Sequence, residues 1–94
     1  MNLTKVNLFF EDLGGGGEFD VRSEFDPSES AIRINTRVLN KMKSDEAQRF
    51  IEHAIAHELY HVLEYCGDVE RSTKRSVSEA RAERFAQMLL ETRA

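Results

Sequence analysis

The hydrophobic period of the chain changes at Asn35, and this change limits the folds that the sequence can adopt. Before it, β-branched, aromatic and alternating apolar residues mark three short strand candidates, at 3–10, 18–25 and 31–35. After it, apolar residues recur at helical spacing. The sequence therefore predicts an α+β fold, with a small antiparallel or mixed three-stranded sheet followed by helices. A length of 94 residues predicts one domain covering 1–94.

Turn and cap residues separate these elements. The glycines at 14–17 and the segment 26–30, which holds the only proline, are expected to form turns. A short helix is predicted within 36–43. A long helix is predicted to start at Ser44, as a capping hydroxyl before two acids, and to stop near Gly67. Its expected buried stripe is Phe50, Ile51, Ala54, Ile55, Leu59, Val62 and Leu63.

The last helix follows a polar loop. Ser76 with Glu79 three positions later fits a capping box, which leaves open the alternative that Glu79 is only a cap partner. The apolar face expected for this helix is Ala82, Phe85, Ala86, Leu89 and Leu90.

Charge and cysteine content exclude several classes of protein. A formal charge of −4 argues against electrostatic capture of nucleic acid or of an anionic membrane. No stretch reaches the roughly 20 apolar residues that span a bilayer. Cys66 is the only cysteine, so no intrachain disulfide can form and nothing points to an oxidising compartment. We expect a soluble, cytoplasmic protein.

The long helix carries a possible metal-binding motif. His57 and His61 are four residues apart, so both imidazoles lie on one helix face and can reach one ion. Glu58 lies about 100° around the helix from His57, close enough to reach a water on that ion without binding it. Such a bare His-Glu-x-x-His pattern also arises by chance, and its helical context strengthens it.

A catalytic zinc ion usually has three protein ligands and one open position, so a third ligand is required. A metzincin would need glycine at 64 and histidine at 67, where this chain has Glu64 and Gly67. His53 cannot join the other two, since about 12 Å of helix axis separates it from His61. We expect His53 to be a polar neighbour of the site or a surface residue.

The last helix offers the best third ligand. Glu79 and Glu83 are one turn apart, and the nearby alanines at 80, 82 and 86 would allow close packing on the helix that holds His57. Glu79 would bind the ion. Glu83 could accept the free ring N–H of a ligand histidine and so fix its tautomer.

The segments "HELYH" and "EARAERFA", with eighteen residues from His61 to Glu79, resemble the signatures of the glutamate zincins. The chain looks like the HtpX-like and ImmA/IrrE-type peptidases, and in length like the minigluzincins. The resemblance implies zinc held by His57, His61 and Glu79, with Glu58 as general base and acid, in an enzyme that cleaves peptide or protein substrates.

The same families have a small sheet before the active-site helix, and the edge strand of this sheet pairs with extended substrate. The segment "AIRIN" is the candidate for that strand. Many members supply a Tyr, His or Arg after the glutamate helix to stabilise the oxyanion. In this sequence only Arg84 and Arg93 come after Glu83. Tyr60 or Tyr65 could take the role instead.

Two alternatives remain open. In the first, zinc is structural, and the domain is a weak or inactive zincin that serves as a binding or regulatory module. In the second, no metal binds, and the helices or the sheet mediate assembly. The motifs carry no information on substrate sequence or oligomeric state.

Overall fold

The computed structural model describes residues 5–15 and 21–93. Within them the elements follow the order β1 (Asn7–Glu11), β2 (Ser23–Asp26), β3 (Ala31–Asn35), α1 (Thr36–Leu39), α2 (Ser44–Cys66) and α3 (Arg75–Arg93). The predicted α+β class is confirmed, because a three-stranded mixed sheet precedes the helices. Parts of the first two strand candidates and of the glycine run lie outside the described residues. No helix in the described part is both long and apolar enough to cross a bilayer.

Strand β3 lies at the centre of the sheet. The order is β1-β3-β2, with β1 parallel and β2 antiparallel to β3. The prediction that "AIRIN" is an edge strand is therefore wrong. Its alternating pattern located the strand, but four of its five residues are buried because the strand is paired on both sides. The edge strand nearer to α2 is β2.

Asn35 ends β3 and fixes the chain around it. Its side chain is fully buried and makes four hydrogen bonds. The Oδ1 atom accepts from the backbone N–H groups of Leu13 and Arg37, and Nδ2 donates to the carbonyls of Gly14 and Val21. Leu13 and Gly14 follow β1, Arg37 lies in α1 and Val21 precedes β2. One buried amide at the end of β3 therefore joins the segments that flank the other two strands.

Both ends of α2 have identifiable caps. Lys43 is the N-cap residue, with extended backbone and no side-chain cap bond. The prediction of Ser44 as the capping hydroxyl is wrong, since Ser44 is already helical and a cap needs non-helical backbone. At the other end, Gly67 has φ of 81°, a left-handed conformation that suits glycine, and the N–H groups of Gly67 and Asp68 bond back to Glu64 and Leu63. The predicted stop is confirmed.

Helix α2 packs against the sheet on one side and α3 on the other. Because α2 has a packing partner on each side, its buried residues lie on two faces of the helix rather than in one stripe. Leu59 is 36% exposed because it lies on neither face, contrary to the prediction. The residues of α2 that are buried are Ala54, Ala56, Glu58, Tyr60, Val62 and Glu64.

Small residues line the contact between α2 and α3. Ala82 and Ala86 are fully buried, whereas Ala80 and Leu89 are exposed, contrary to expectation. Helix α3 begins at Arg75, one residue before Ser76. The predicted capping box is wrong, since Ser76 already lies inside the helix and cannot be its cap.

Candidate metal centre

The two histidines of α2 and a glutamate of α3 converge on one point. The Nε2 atom of His57 is 2.9 Å from Oε2 of Glu79, and Nε2 of His61 is 3.1 Å from Oε1 of the same carboxylate. The donor atoms of all three residues lie within 4.8 Å of one another. The side chains of the histidines are mostly buried, and that of Glu79 is half-buried. The structure thus brings together the three residues predicted as metal ligands.

The spacing of these atoms fits a small cation. Ligands at about 2.0 Å from a tetrahedral zinc ion lie roughly 3.3 Å apart, close to the two observed N···O distances. The Nε2 atom of His61 is buried and makes no hydrogen bond, despite the nearby Glu79 oxygen. When Nδ1 of His61 carries the proton, Nε2 presents a lone pair to a carboxylate oxygen. A cation between these two acceptors would remove that unfavourable contact.

Glu64 holds His61 from behind. Its Oε1 lies 3.0 Å from Nδ1 of His61 and accepts the hydroxyl of Ser78 at 2.6 Å. Burial raises the pKa of Glu64, but the hydrogen bonds from Ser78 and His61 outweigh it, so the pKa lies below its usual range. The ionised carboxylate favours the Nδ1–H tautomer, which leaves Nε2 free for an ion. Glu64 is not among the residues predicted for the site, although it lies three residues after His61, a spacing at which helical side chains meet.

Glu83 contacts two histidines. Its Oε2 is 3.4 Å from Nδ1 of His57, the contact predicted for it, and its Oε1 is 2.8 Å from Nε2 of His53. Burial raises the pKa of Glu83, but the contacts with His53 and then with His57 lower it by a larger amount, so the pKa lies below its usual value. His53, expected to be a neighbour or a surface residue, lies beside the site and is partly exposed.

Glu58 is buried in the wall of the same site. Its side chain comes from α2, and the residue is 4% exposed. Its Oε2 accepts the hydroxyl of Ser23 on β2 at 2.5 Å. Burial raises the pKa of Glu58, and the Ser23 hydrogen bond and then the nearby histidines oppose the shift only in part. Ser23 gave no signal in the sequence, because its role depends on β2 lying next to α2.

An open cleft of about 580 Å³ gives access to these side chains. It runs between β2 and the two long helices, and Tyr65, Arg71 and Arg75 line it together with His57, Glu58, His61 and Glu79. Tyr60, one of the two tyrosines predicted as oxyanion candidates, packs against Phe85 with ring centroids 5.7 Å apart and against His61 at 6.2 Å. Tyr60 is buried and does not line the cleft.

The arrangement combines three nitrogen and oxygen donors, a buried carboxylate beside them and an opening to solvent. Imidazole and carboxylate together suit zinc and also accept other first-row divalent ions. Two helices supply the donors, so an ion here would join α2 to α3. No known family model, curated protein or solved structure matches the chain.

Proposed function

We propose that the protein is a zinc-dependent endopeptidase, similar to the glutamate zincins, with His57, His61 and Glu79 as its metal ligands. The convergence of these three side chains, next to the buried Glu58 and at the wall of an open cleft, carries this proposal. A zinc ion, when bound, supplies a water molecule of lowered pKa and polarises the carbonyl group of the scissile peptide.

Glu58 is the group that moves the proton. Its Oε2 is engaged by Ser23, so proton transfer falls to Oε1. This oxygen accepts a proton from the attacking water and then donates it to the leaving amine, the two steps expected of a general base and acid. The Ser23 hydroxyl keeps the carboxylate in one orientation throughout. Glu64 and Glu83 orient the imidazoles of His61 and His57.

The peptide substrate adds to the sheet at β2. This strand pairs with β3 along one edge, and residues 21–25 line the cleft. An extended peptide that pairs with an exposed strand edge gains main-chain hydrogen bonds without regard to its sequence. We therefore assign to β2 the substrate-pairing role that was predicted for the segment "AIRIN". Tyr65, predicted as a candidate to stabilise the oxyanion, lines the same cleft together with Arg71 and Arg75, and any of the three could take this role.

The change Glu58→Gln tests this function directly. The variant should keep one equivalent of zinc, because Glu58 is not a ligand, and should lose cleavage of a peptide library by about 100-fold or more. Glu91→Gln, an exposed glutamate of α3, is the matched control and should cleave as the unchanged protein does. Cleavage that survives in Glu58→Gln would refute the assigned proton carrier.

The second candidate is a structural zinc site in a binding or regulatory module. One observation favours it: among residues 5–15 and 21–93 the core is made largely of alanines, and the largest fully buried side chains are Ile34 and Asn35. An ion that joins α2 to α3 would add folding free energy that this core supplies poorly. This function predicts stoichiometric zinc with no hydrolysis of any peptide, and the library experiment separates the two candidates.

A further inference from the structure

We propose a second divalent-cation site, formed by His53, His57 and Glu83, that shares His57 with the first site and competes with it. The two clusters repeat one pattern displaced by a helical turn. On α2, His53, His57 and His61 follow at intervals of four residues, and on α3, Glu83 and Glu79 are also four apart. Each cluster therefore contains two successive histidines of α2 and one glutamate of α3.

The donor atoms of the second cluster are spaced for a cation. Nε2 of His53 lies 2.8 Å from Oε1 of Glu83, and Nδ1 of His57 lies 3.4 Å from Oε2. These distances bracket the roughly 3.3 Å expected between ligands of tetrahedral zinc. All three donors lie within 4.8 Å of one another, and His53 and Glu83 both line the cleft. An ion could therefore enter from solvent.

The second site should be the weaker one. The side chain of His53 is 30% exposed, against 17% for His61 in the first site. In addition, Nε2 of His53 is already engaged with Glu83, whereas Nε2 of His61 is buried without a hydrogen bond. Binding at either site must break one histidine–glutamate contact, but binding at the first also supplies a partner to Nε2 of His61.

The two sites are mutually exclusive because they use opposite nitrogens of His57. A neutral imidazole has one lone pair, on Nε2 or on Nδ1. An ion at the first site needs the lone pair on Nε2, with the proton on Nδ1 beside Glu83. An ion at the second site needs the reverse tautomer, which leaves only His61 and Glu79 for the first. Occupation of the second site would thus remove a ligand from the proposed catalytic site.

The inference depends on the proposed zinc site only through His57, so the test removes the first site. Cobalt(II) is titrated into His61→Ala and into His61→Ala with His53→Gln, and the visible absorption of bound cobalt is followed. The first variant should bind one equivalent, and the added change should weaken binding by at least about ten-fold. Far-UV circular dichroism checks that both variants are folded. The pair Glu79→Ala, with and without His53→Gln, repeats the comparison if His61→Ala does not fold.

Long-range ¹H–¹⁵N spectra of zinc-loaded His61→Ala identify the nitrogen of His57 that binds. We expect the metal on Nδ1. The second site is refuted if His53→Gln leaves cobalt affinity unchanged, if neither His61→Ala nor Glu79→Ala binds cobalt, or if zinc is on Nε2. None of these results bears on peptide cleavage by the unchanged protein, so failure here is distinguishable from failure of the proposed endopeptidase.

Discussion

Glu64 is the residue that most closely couples the candidate metal site to the packing of the helices. It is buried on α2, faces the ring of His61 and accepts a hydrogen bond from Ser78 on α3. In the sequence it is one of many charged residues on a helix. Its contact with His61 follows from local helical spacing, but its contact with Ser78 depends on the packing of α3, which no local pattern encodes. A single carboxylate therefore contacts one proposed ligand and joins two helices.

The change Glu64→Gln should lower zinc affinity by about 10- to 100-fold, the range typical of partners that orient a metal-binding histidine. The neutral amide polarises the Nδ1–H bond of His61 less and makes Nε2 a poorer donor. Competition with a chromophoric chelator measures the affinity. Glu70→Gln, an exposed loop glutamate, is the matched control and should bind zinc as before. Equal affinities for the two variants would show that Glu64 does not act on the ligand.

At the scale of elements, Asn35 is the junction on which the sheet depends. Replacement by alanine would leave the N–H groups of Leu13 and Arg37 and the carbonyls of Gly14 and Val21 without this partner. Because each buried unsatisfied group costs about 1–3 kcal/mol and some will reach water, we expect Asn35→Ala to lower the free energy of unfolding by about 2–4 kcal/mol.

Urea unfolding followed by circular dichroism measures this loss. Asn40→Ala provides the matched control, since Asn40 is exposed at the end of α1 and should change stability by less than about 0.5 kcal/mol. If both variants lose the same free energy, the four hydrogen bonds of Asn35 do not contribute as described.

Local patterns located elements more accurately than they located neighbours. Alternation gave the bounds of β3, helical spacing gave α2, and Gly67 marked its end. The position of β3 at the centre of the sheet was missed, because strand order depends on long-range pairing. The same limit applies to the site. The histidine spacing and the family resemblance pointed to Glu79, whereas Ser23 and Asn35 act through elements that are distant in the sequence, as does the contact of Glu64 with Ser78.

For the whole molecule, stability depends on a core of small residues, to which an ion at the proposed site would add. The contact between α2 and α3 is lined by alanines, and each alanine removes little apolar surface from water. The proposed ligands lie on both helices, so a bound ion would act as a further contact between them. Free energy of zinc binding would then be free energy of folding.

Removal of zinc should therefore destabilise the protein. At free zinc 100 times its dissociation constant, binding adds about 2.7 kcal/mol to the free energy of unfolding, and a chelator should abolish this increment. Thermal unfolding with zinc and with excess EDTA measures the difference. Glu79→Ala should show a much smaller shift in melting temperature. An equal shift in both proteins would place the stabilising ion elsewhere.

The most direct test of the proposed metal site compares untagged protein with Glu79→Ala. Elemental analysis gives the zinc content of each protein, and competition with a chelator gives the zinc affinity. We predict one tightly bound zinc per chain in the unchanged protein and a loss of affinity of about 100-fold or more in the variant, because a direct ligand is removed. Retention of zinc by Glu79→Ala with undiminished affinity would contradict the proposal that α2 and α3 together hold the ion.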